Sequence, residues 1–212
     1  MSTLFQKLFR PKTPAPVVPE PQPIIIVSGL PRSGTSLMMK MLEAGGLPVL
    51  TDRLRTADDD NPKGYYEYER VKALDKGDHA WLPQAEGKAV KVISALLVHL
   101  PPTYTYRIIF MQRNLDEVLA SQRKMLAHRG EVNTAASDNE VAPLFAKHVQ
   151  ATKSWLMVQP NMTLLEIDYN LLIANPSPSV HAIQRFLVSG LAVEQMVQAV
   201  DPTLYRNRSA QT

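Results

Sequence analysis

IIIVSGLPRSGTS, residues 24–36, joins a short apolar run to a loop of glycine, arginine and hydroxyl side chains. The run at 24–28 is rich in β-branched residues, which is typical of a strand buried on both faces of a parallel sheet. A helix is predicted over residues 36–44, with Gly45 and Gly46 at its end. Backbone N–H groups in a loop between a buried strand and a helix N-terminus form a cradle for an anion.

The loop has the two glycines of the nucleotide-binding P-loop, GxxxxGK followed by Ser or Thr, without its lysine. Gly29 and Gly34 match the glycines, Thr35 stands in the lysine position, and the cation comes earlier, at Arg32. P-loop kinases and GTPases hold the phosphates of their nucleotide with that lysine, so the loop favours a different anionic ligand. A plain strand–turn–helix joint with a solvated arginine is the competing interpretation.

Strand and helix patterns alternate along the rest of the chain. Further strands are predicted at residues 89–93, 107–111 and 162–167, and helices at 67–79, 114–128, 169–175, 178–188 and 193–200. Ser137 and Glu140 form a capping-box pattern before another helix, whose apolar stripe includes Leu144. This alternation predicts an α/β fold of three layers, with a parallel central sheet and helices on both faces. Ligands of such sheets bind beyond the carboxyl ends of the strands, where the loop at 29–36 lies.

Length and composition limit the classes of protein that the chain can represent. Its 212 residues suffice for one α/β domain, predicted at 24–212, and six prolines between residues 11 and 23 predict a flexible tether at 1–23. The net charge of +3 is too small for a nucleic-acid-binding surface, and no apolar run approaches the roughly 20 residues of a membrane span. With no cysteine and no signal-peptide pattern, the expected location is the cytoplasm.

A second motif follows the predicted strand at 107–111. Arg113 stands at the carboxyl end of that strand, and Ser121 follows eight residues later in a helix that begins with an Asn114–Glu117 capping pattern. Both side chains can face the carboxyl edge of the sheet and bind one phosphate, the arginine through a charge-assisted contact. Taken alone, Arg113 is also compatible with a surface ion pair, and Ser121 with an ordinary helix position. The two residues at this spacing favour phosphate binding.

The segments GLPRSGTSLMMKML and RNLDEVLAS together resemble the sulfotransferases that use 3′-phosphoadenosine 5′-phosphosulfate (PAPS). Weaker similarity to this family continues through residues 168–187 and 201–208. The resemblance implies a P-loop-like sulfotransferase fold, in which the first motif binds the 5′-phosphosulfate and the second binds the 3′-phosphate. It implies these residues as cofactor contacts: Arg32, Ser33, Gly34, Thr35, Ser36, Arg113 and Ser121.

The resemblance also implies candidate catalytic residues. Arg32 is expected to neutralise charge on the departing phosphate, and Lys91, at the end of a predicted strand, is similar in placement to a catalytic lysine of cytosolic sulfotransferases. Those enzymes carry a histidine two residues after this lysine, whereas here the position is Ile93. The proton of the acceptor is then expected to go to Glu67 or to Asp52, with Lys91 or water as further alternatives.

The remaining expectations concern metals, the acceptor and rival functions. No metal is expected, because the five histidines lack close paired spacing and Asp58–Asp60 is typical of a solvated loop. The acceptor is expected to be a small molecule or glycan, with Tyr65, Tyr66 and Trp81 as candidates for an aromatic lining. Neither its identity nor the oligomeric state can be read from the sequence. An ATP- or GTP-dependent P-loop kinase or NTPase, and a non-catalytic nucleotide-binding or interaction protein, remain as alternatives.

Overall fold

The computed structural model describes residues 21–52, 54, 64–128, 130, 137–187 and 190–201. The predicted tether at 1–23 lies outside these ranges except for residues 21–23, which form neither helix nor strand. The domain boundary at residue 24 therefore stays a prediction. The acidic run Asp58–Asp60 and the C-terminal segment 202–212 also lie outside the described residues.

A sheet of four parallel strands forms the centre of the fold. The strands are β1 (Ile24–Gly29), β2 (Ala89–Lys91), β3 (Tyr106–Gln112) and β4 (Met162–Asp168), and their order across the sheet is β2-β1-β3-β4. Every residue of β1 is buried, as expected of a β-branched strand with a neighbour on each side. The predicted parallel α/β sheet is confirmed.

Helices connect these strands. In the described part of the chain they are α1 (Thr35–Ala44), α2 (Leu82–Ala85), α3 (Leu115–His128), α4 (Asp138–Met157), α5 (Tyr169–Ala174), α6 (Pro176–Leu187) and α7 (Val193–Gln198), with 3-10 segments at Glu69–Lys76 and Ser94–His99. The helix predicted at 67–79 is thus a shorter 3-10 segment, which ends at Gly77 in a left-handed conformation. The strand predicted at 89–93 ends at Lys91, because the second 3-10 segment begins at Ser94. The sequence patterns did not predict α2.

Apolar side chains cover both faces of the sheet. Ile25 and Val27 belong to a cluster that α1, α5, α6 and α7 complete, whereas Ile24 and Ile26 belong to a second cluster with both 3-10 segments, α2 and α4. This division follows from the strand geometry, in which successive side chains point to opposite faces. The predicted three-layer arrangement is confirmed.

The helix α4 agrees with its predicted start but not with its predicted apolar stripe. The Glu140 carboxylate accepts hydrogen bonds from the backbone N–H of Ser137 (2.8 Å) and from the Ser137 hydroxyl (2.9 Å), which confirms the capping box. The prediction that Leu144 belongs to the core-facing stripe is wrong, since 65% of this residue is exposed. Thr152 and Leu156 are the buried residues of α4 instead, because the inner face is set by where the helix meets β4 and the second 3-10 segment.

The carboxyl ends of β1 and β3 lie side by side at the centre of the sheet. After β1 the chain passes to β2 on one side, and after β3 it passes to β4 on the other side. Connections that leave neighbouring strands in opposite directions open a crevice between them, which is where α/β sheets bind ligands. Gly29 pairs with Met111, so the loop after β1 faces the segment that follows β3. None of the helices in the described ranges is both long and apolar enough to cross a membrane.

Candidate anion-binding and catalytic site

The loop after β1 depends on two glycines. A Cβ atom at Gly29 (φ 145°) would lie 2.5 Å from the Ser33 Oγ and 2.6 Å from the Met111 carbonyl oxygen. A Cβ at Gly34 (φ 98°) would lie 2.3 Å from the Cδ2 atom of Tyr169. Both positions therefore require glycine, for a left-handed backbone and for close approach to neighbours.

The hydroxyl side chains of this loop make different contacts and have different structural roles. Ser33 is buried, and both its hydroxyl (2.7 Å) and its backbone N–H (3.2 Å) donate to the Leu30 carbonyl, so this side chain braces the loop from inside. Thr35 and Ser36 form the first turn of α1, whose N–H groups have no partner within the helix. The Ser36 hydroxyl donates to the Tyr65 carbonyl (3.2 Å). What this loop offers to an anion is mainly backbone N–H groups and the positive end of the α1 dipole.

The structure brings Arg32 into direct contact with the second motif. Arg32 has a left-handed backbone (φ 72°), which is uncommon for a residue other than glycine. Its Nε atom donates a hydrogen bond to the Ser121 Oγ at 2.9 Å, and Ser121 is buried on α3. The residues that the sequence assigns to opposite ends of the nucleotide therefore meet within one crevice.

Arg113 is held from several sides. Its Nε lies 2.9 Å from Glu117 Oε2, its NH1 group donates to the Arg32 carbonyl at 3.2 Å, and its guanidinium lies 4.6 Å from the centre of the Tyr169 ring. Asn170 donates its side-chain N–H to the other Glu117 oxygen at 3.1 Å. The side chains of Arg113 and Glu117 are only 8% and 1% exposed. The result is a buried, oriented cation between the two motifs.

Three residues of this arrangement are missing from the sequence-predicted set: Glu117, Tyr169 and Asn170. The sequence predicts Glu117 as the partner of Asn114 in a capping box, but its carboxylate turns inward to Arg113. Its position four residues after Arg113 was a readable signal, since such pairs are neighbours on a helix. Tyr169 and Asn170 lie in the stretch of weaker similarity to the family, where nothing in the sequence indicated a contact with Arg113 or Glu117. Burial raises the pKa of the Tyr169 hydroxyl against the opposing effect of Arg113, so the phenol stays neutral near neutral pH.

Lys91 and Glu67 meet on the β2 side of the crevice. The Lys91 ammonium donates to the Tyr65 carbonyl, lies 3.5 Å from the Ser36 Oγ and lies 3.8 Å from Glu67 Oε1. The Lys91 side chain is 10% exposed, whereas that of Glu67 is 24% exposed and also lies 3.9 Å from Lys72. Two sequence-predicted catalytic candidates are thus adjacent to each other and to the first turn of α1.

Asp52, the other candidate base, is engaged in the local backbone. Its Oδ1 accepts from the Leu54 N–H at 3.0 Å and its Oδ2 from the Glu69 N–H at 2.6 Å. Its own N–H donates to the Glu67 carbonyl at 3.2 Å. The carboxylate therefore caps the first 3-10 segment and fixes the loop that carries Glu67.

The predicted aromatic lining is mostly in the core. Trp81 is fully buried in the second apolar cluster, so the prediction that it lines the acceptor pocket is wrong, and Tyr65 is 5% exposed. Tyr66 has a left-handed backbone (φ 51°), and its hydroxyl donates to Glu43 at 2.5 Å. Ile93 is 41% exposed beyond Lys91.

Among the described residues, no group of three or more His, Asp or Glu side chains is placed to hold a metal ion.

Comparisons with known proteins point to one family. A family profile described as a sulfotransferase domain matches residues 22–211. A sulfotransferase domain from the curacin biosynthetic pathway is 16% identical, with a TM-score of 0.51 over 85% of this chain and 78% of that chain. Mouse sulfotransferase SULT7A1, complexed with PAP (adenosine 3′,5′-bisphosphate), is 15% identical, with a TM-score of 0.53 over 88% of this chain and 67% of that chain. No curated protein sequence matches the chain.

Proposed function

Because the chain belongs to the sulfotransferase family, we propose that its central crevice binds PAPS and directs the sulfuryl group to a hydroxyl or amine acceptor without a metal ion. The observation that carries the proposal is the meeting of the two phosphate motifs at Arg32, which contacts Ser121 through its side chain and Arg113 through its carbonyl. With the family match over residues 22–211, the P-loop kinase and the non-catalytic alternatives are not favoured.

The donors around the crevice fit a nucleotide with anionic groups at both ends. On one side lie the N–H groups that open α1, with Arg32 and Lys91 beside them. On the other side lies Arg113, a guanidinium of the kind that binds phosphate in a bidentate manner. Glycine at position 34 allows the Tyr169 ring to pack against the loop, because a side chain there would collide with the ring.

The chain itself contributes orientation and positive charge. When bound, PAPS would supply a sulfuryl group whose departure leaves negative charge on its phosphate. By analogy with phosphoryl transfer, we assign Arg32 and Lys91 to the stabilisation of that charge. Lys91 is suited to this role because its side chain is 10% exposed, and the electrostatic effect of a charge is larger where water is excluded. We assign Arg113 and Ser121 to the 3′-phosphate side.

For the catalytic base we propose Glu67 rather than Asp52. The Glu67 carboxylate lies 3.8 Å from the Lys91 ammonium, which itself lies 3.5 Å from the Ser36 hydroxyl in the first turn of α1. Each oxygen of Asp52 already accepts a backbone N–H, which supports a structural role for that residue. A base must reach the proton that it removes, so position decides between two carboxylates of similar intrinsic strength.

The acceptor is proposed as a small molecule or glycan that reaches the crevice past Ile93. The cytoplasm remains the proposed location, which the cysteine-free sequence supports.

The proposal is tested by thermal unfolding of the protein with PAP, ATP or GTP, each with and without Mg²⁺. PAP should raise the melting temperature in the absence of metal. At a ligand concentration 100 times the dissociation constant, binding stabilises the folded state by about 2.7 kcal/mol. Stabilisation by ATP with Mg²⁺ and not by PAP would instead support a nucleotide kinase or NTPase.

A further inference from the structure

We infer that Glu117, held in place by Asn170, is a positioning residue that orients the Arg113 guanidinium for recognition of the nucleotide 3′-phosphate. This inference rests on the proposed function, because it assumes that Arg113 faces that phosphate. Glu117 does not touch the nucleotide in this role. It acts through the arginine, one helical turn away on α3.

The placement of Glu117 is the first argument. It is a carboxylate with a side chain only 1% exposed, and each of its oxygens has its own donor, Arg113 Nε on Oε2 and Asn170 Nδ2 on Oε1. Removing a carboxylate from water is costly, and a buried ion pair often stabilises a fold no better than apolar side chains of the same size. The burial of this pair therefore calls for an explanation other than stability.

The orientation of the guanidinium is the second argument. The Arg113 Nε donates to Glu117, its NH1 donates to the Arg32 carbonyl, and its central carbon lies over the Tyr169 ring, 4.6 Å from the ring centre. A guanidinium presents its five N–H groups in a rigid planar fork, so contacts at Nε, at NH1 and at the central carbon together determine where the remaining N–H groups point. Bidentate binding of phosphate depends on that direction.

The contact of Asn170 with Glu117 extends this control to a second element. Asn170 lies in the first turn of α5, directly after Tyr169, and β4 places both residues next to the end of β3. The carboxylate is therefore positioned from α5 as well as from α3. A shift of α5 would move both the Tyr169 ring and Asn170, the support of Glu117. It would therefore change two of the contacts of the Arg113 guanidinium at once.

The opposite expectation follows from charge alone. A carboxylate beside the arginine reduces the attraction between that arginine and a phosphate, so removal of the negative charge would strengthen PAP binding if Glu117 had no orienting effect. The sign of the change on substitution distinguishes positioning from simple electrostatics.

The experiment is isothermal titration of PAP and of adenosine 5′-phosphate, which lacks the 3′-phosphate, against the full chain and its variants. The measured quantity is the ratio of the two dissociation constants, because effects on the rest of the site cancel in that ratio. Glu117→Gln keeps the shape and removes the charged acceptor, and we expect the preference for PAP to fall by about tenfold. Asn170→Ala should lower it by less, about threefold, since it removes only the support of Glu117.

Asp116→Asn is the matched control. It removes the same charge in the same turn of α3 from an exposed side chain, and it should leave the ratio unchanged. The inference is overturned if Glu117→Gln leaves the ratio unaltered while lowering the melting temperature, if it tightens PAP binding, or if the control lowers the ratio equally. Should Glu117→Gln fail to fold, Asn170→Ala decides by the same ratio. A wild-type protein that does not prefer PAP refutes the proposed function itself, and the inference with it.

Discussion

Replacement of Gly34 by alanine tests whether the loop after β1 is built as described. The new Cβ would lie 2.3 Å, 2.8 Å and 3.3 Å from the Cδ2, Cε2 and Cγ atoms of Tyr169. Gly34 also has φ 98°, a backbone conformation that alanine adopts only with strain. The ring cannot yield freely, because its other neighbours include the Arg113 guanidinium at 4.6 Å.

The expected cost has two parts. Left-handed backbone in alanine costs about 1–2 kcal/mol, and forcing one extra carbon into a packed contact costs a further ~1–3 kcal/mol. The free energy of unfolding should therefore fall by about 2–5 kcal/mol. In a protein of this size each kcal/mol lowers the melting temperature by roughly 2–4 °C, so we expect a decrease of about 4–20 °C.

Gly46→Ala is the matched control, since Gly46 has φ 90° but, apart from its chain neighbours, no atom of the described residues lies within 4 Å of the position of its Cβ. It should show the backbone cost alone, about 1–2 kcal/mol. Chemical denaturation of both variants, and of Gly34→Ala combined with Tyr169→Ala, separates strain from collision. The double variant should lose less than the sum of the two single changes, because the ring is no longer there to be struck. Equal costs at Gly34 and Gly46, or full additivity with Tyr169→Ala, would refute the close packing of loop and ring.

Three further predictions test the site and the fold. Arg113→Ala should weaken PAP binding by about 1.5–3 kcal/mol and Ser121→Ala by less, as titration calorimetry would show; the arginine change should also weaken adenosine 5′-phosphate, because Arg113 donates to the Arg32 carbonyl. Glu67→Gln should lower turnover by roughly 10²–10⁴-fold with PAP affinity little changed. Asp52→Asn should mainly lower the melting temperature. Near-normal turnover in Glu67→Gln would exclude Glu67 as the base. The hydrogen bond from Arg70 lowers the pKa of Asp78, so this pair stabilises the fold above the unfolded pKa of about 4 and ceases to do so as pH falls through the lower folded value. Asp78→Asn should therefore flatten the acid side of a stability–pH curve, by a small amount because the pair is exposed to solvent.

The class of the fold and the two motifs that line the crevice could be predicted from the amino-acid sequence alone. The β-branched run at 24–28, the glycines at 29 and 34 and the helix that follows are local patterns, and each is decided by backbone preferences over a few residues. The Arg113–Ser121 spacing is equally local, because both residues belong to one strand end and one helix. Their assignment to the cofactor stays a prediction.

Local patterns were less reliable where burial decides the outcome. The helical pattern at 67–79 gives a 3-10 segment, since Asp52 from outside the segment caps its start and Gly77 ends it. Trp81 is an aromatic residue of the kind that lines ligand pockets, but it lies in the core, where its ring makes an edge contact with the Tyr68 ring. Leu144 is apolar and yet exposed. In each case the environment is supplied by residues distant in the sequence, which periodicity does not record.

The set of residues that meet in the crevice depends on contacts between segments that are distant in the sequence. Gln112 pairs with Asp168 in the parallel register of β3 and β4, so Arg113 and Tyr169, the next residue of each strand, emerge side by side at the same edge of the sheet. Strand order likewise brings Arg32 to Ser121 across 89 positions of the chain. Such contacts depend on which strands are neighbours in the sheet, and that order is set by the packing of the whole core rather than by any one segment.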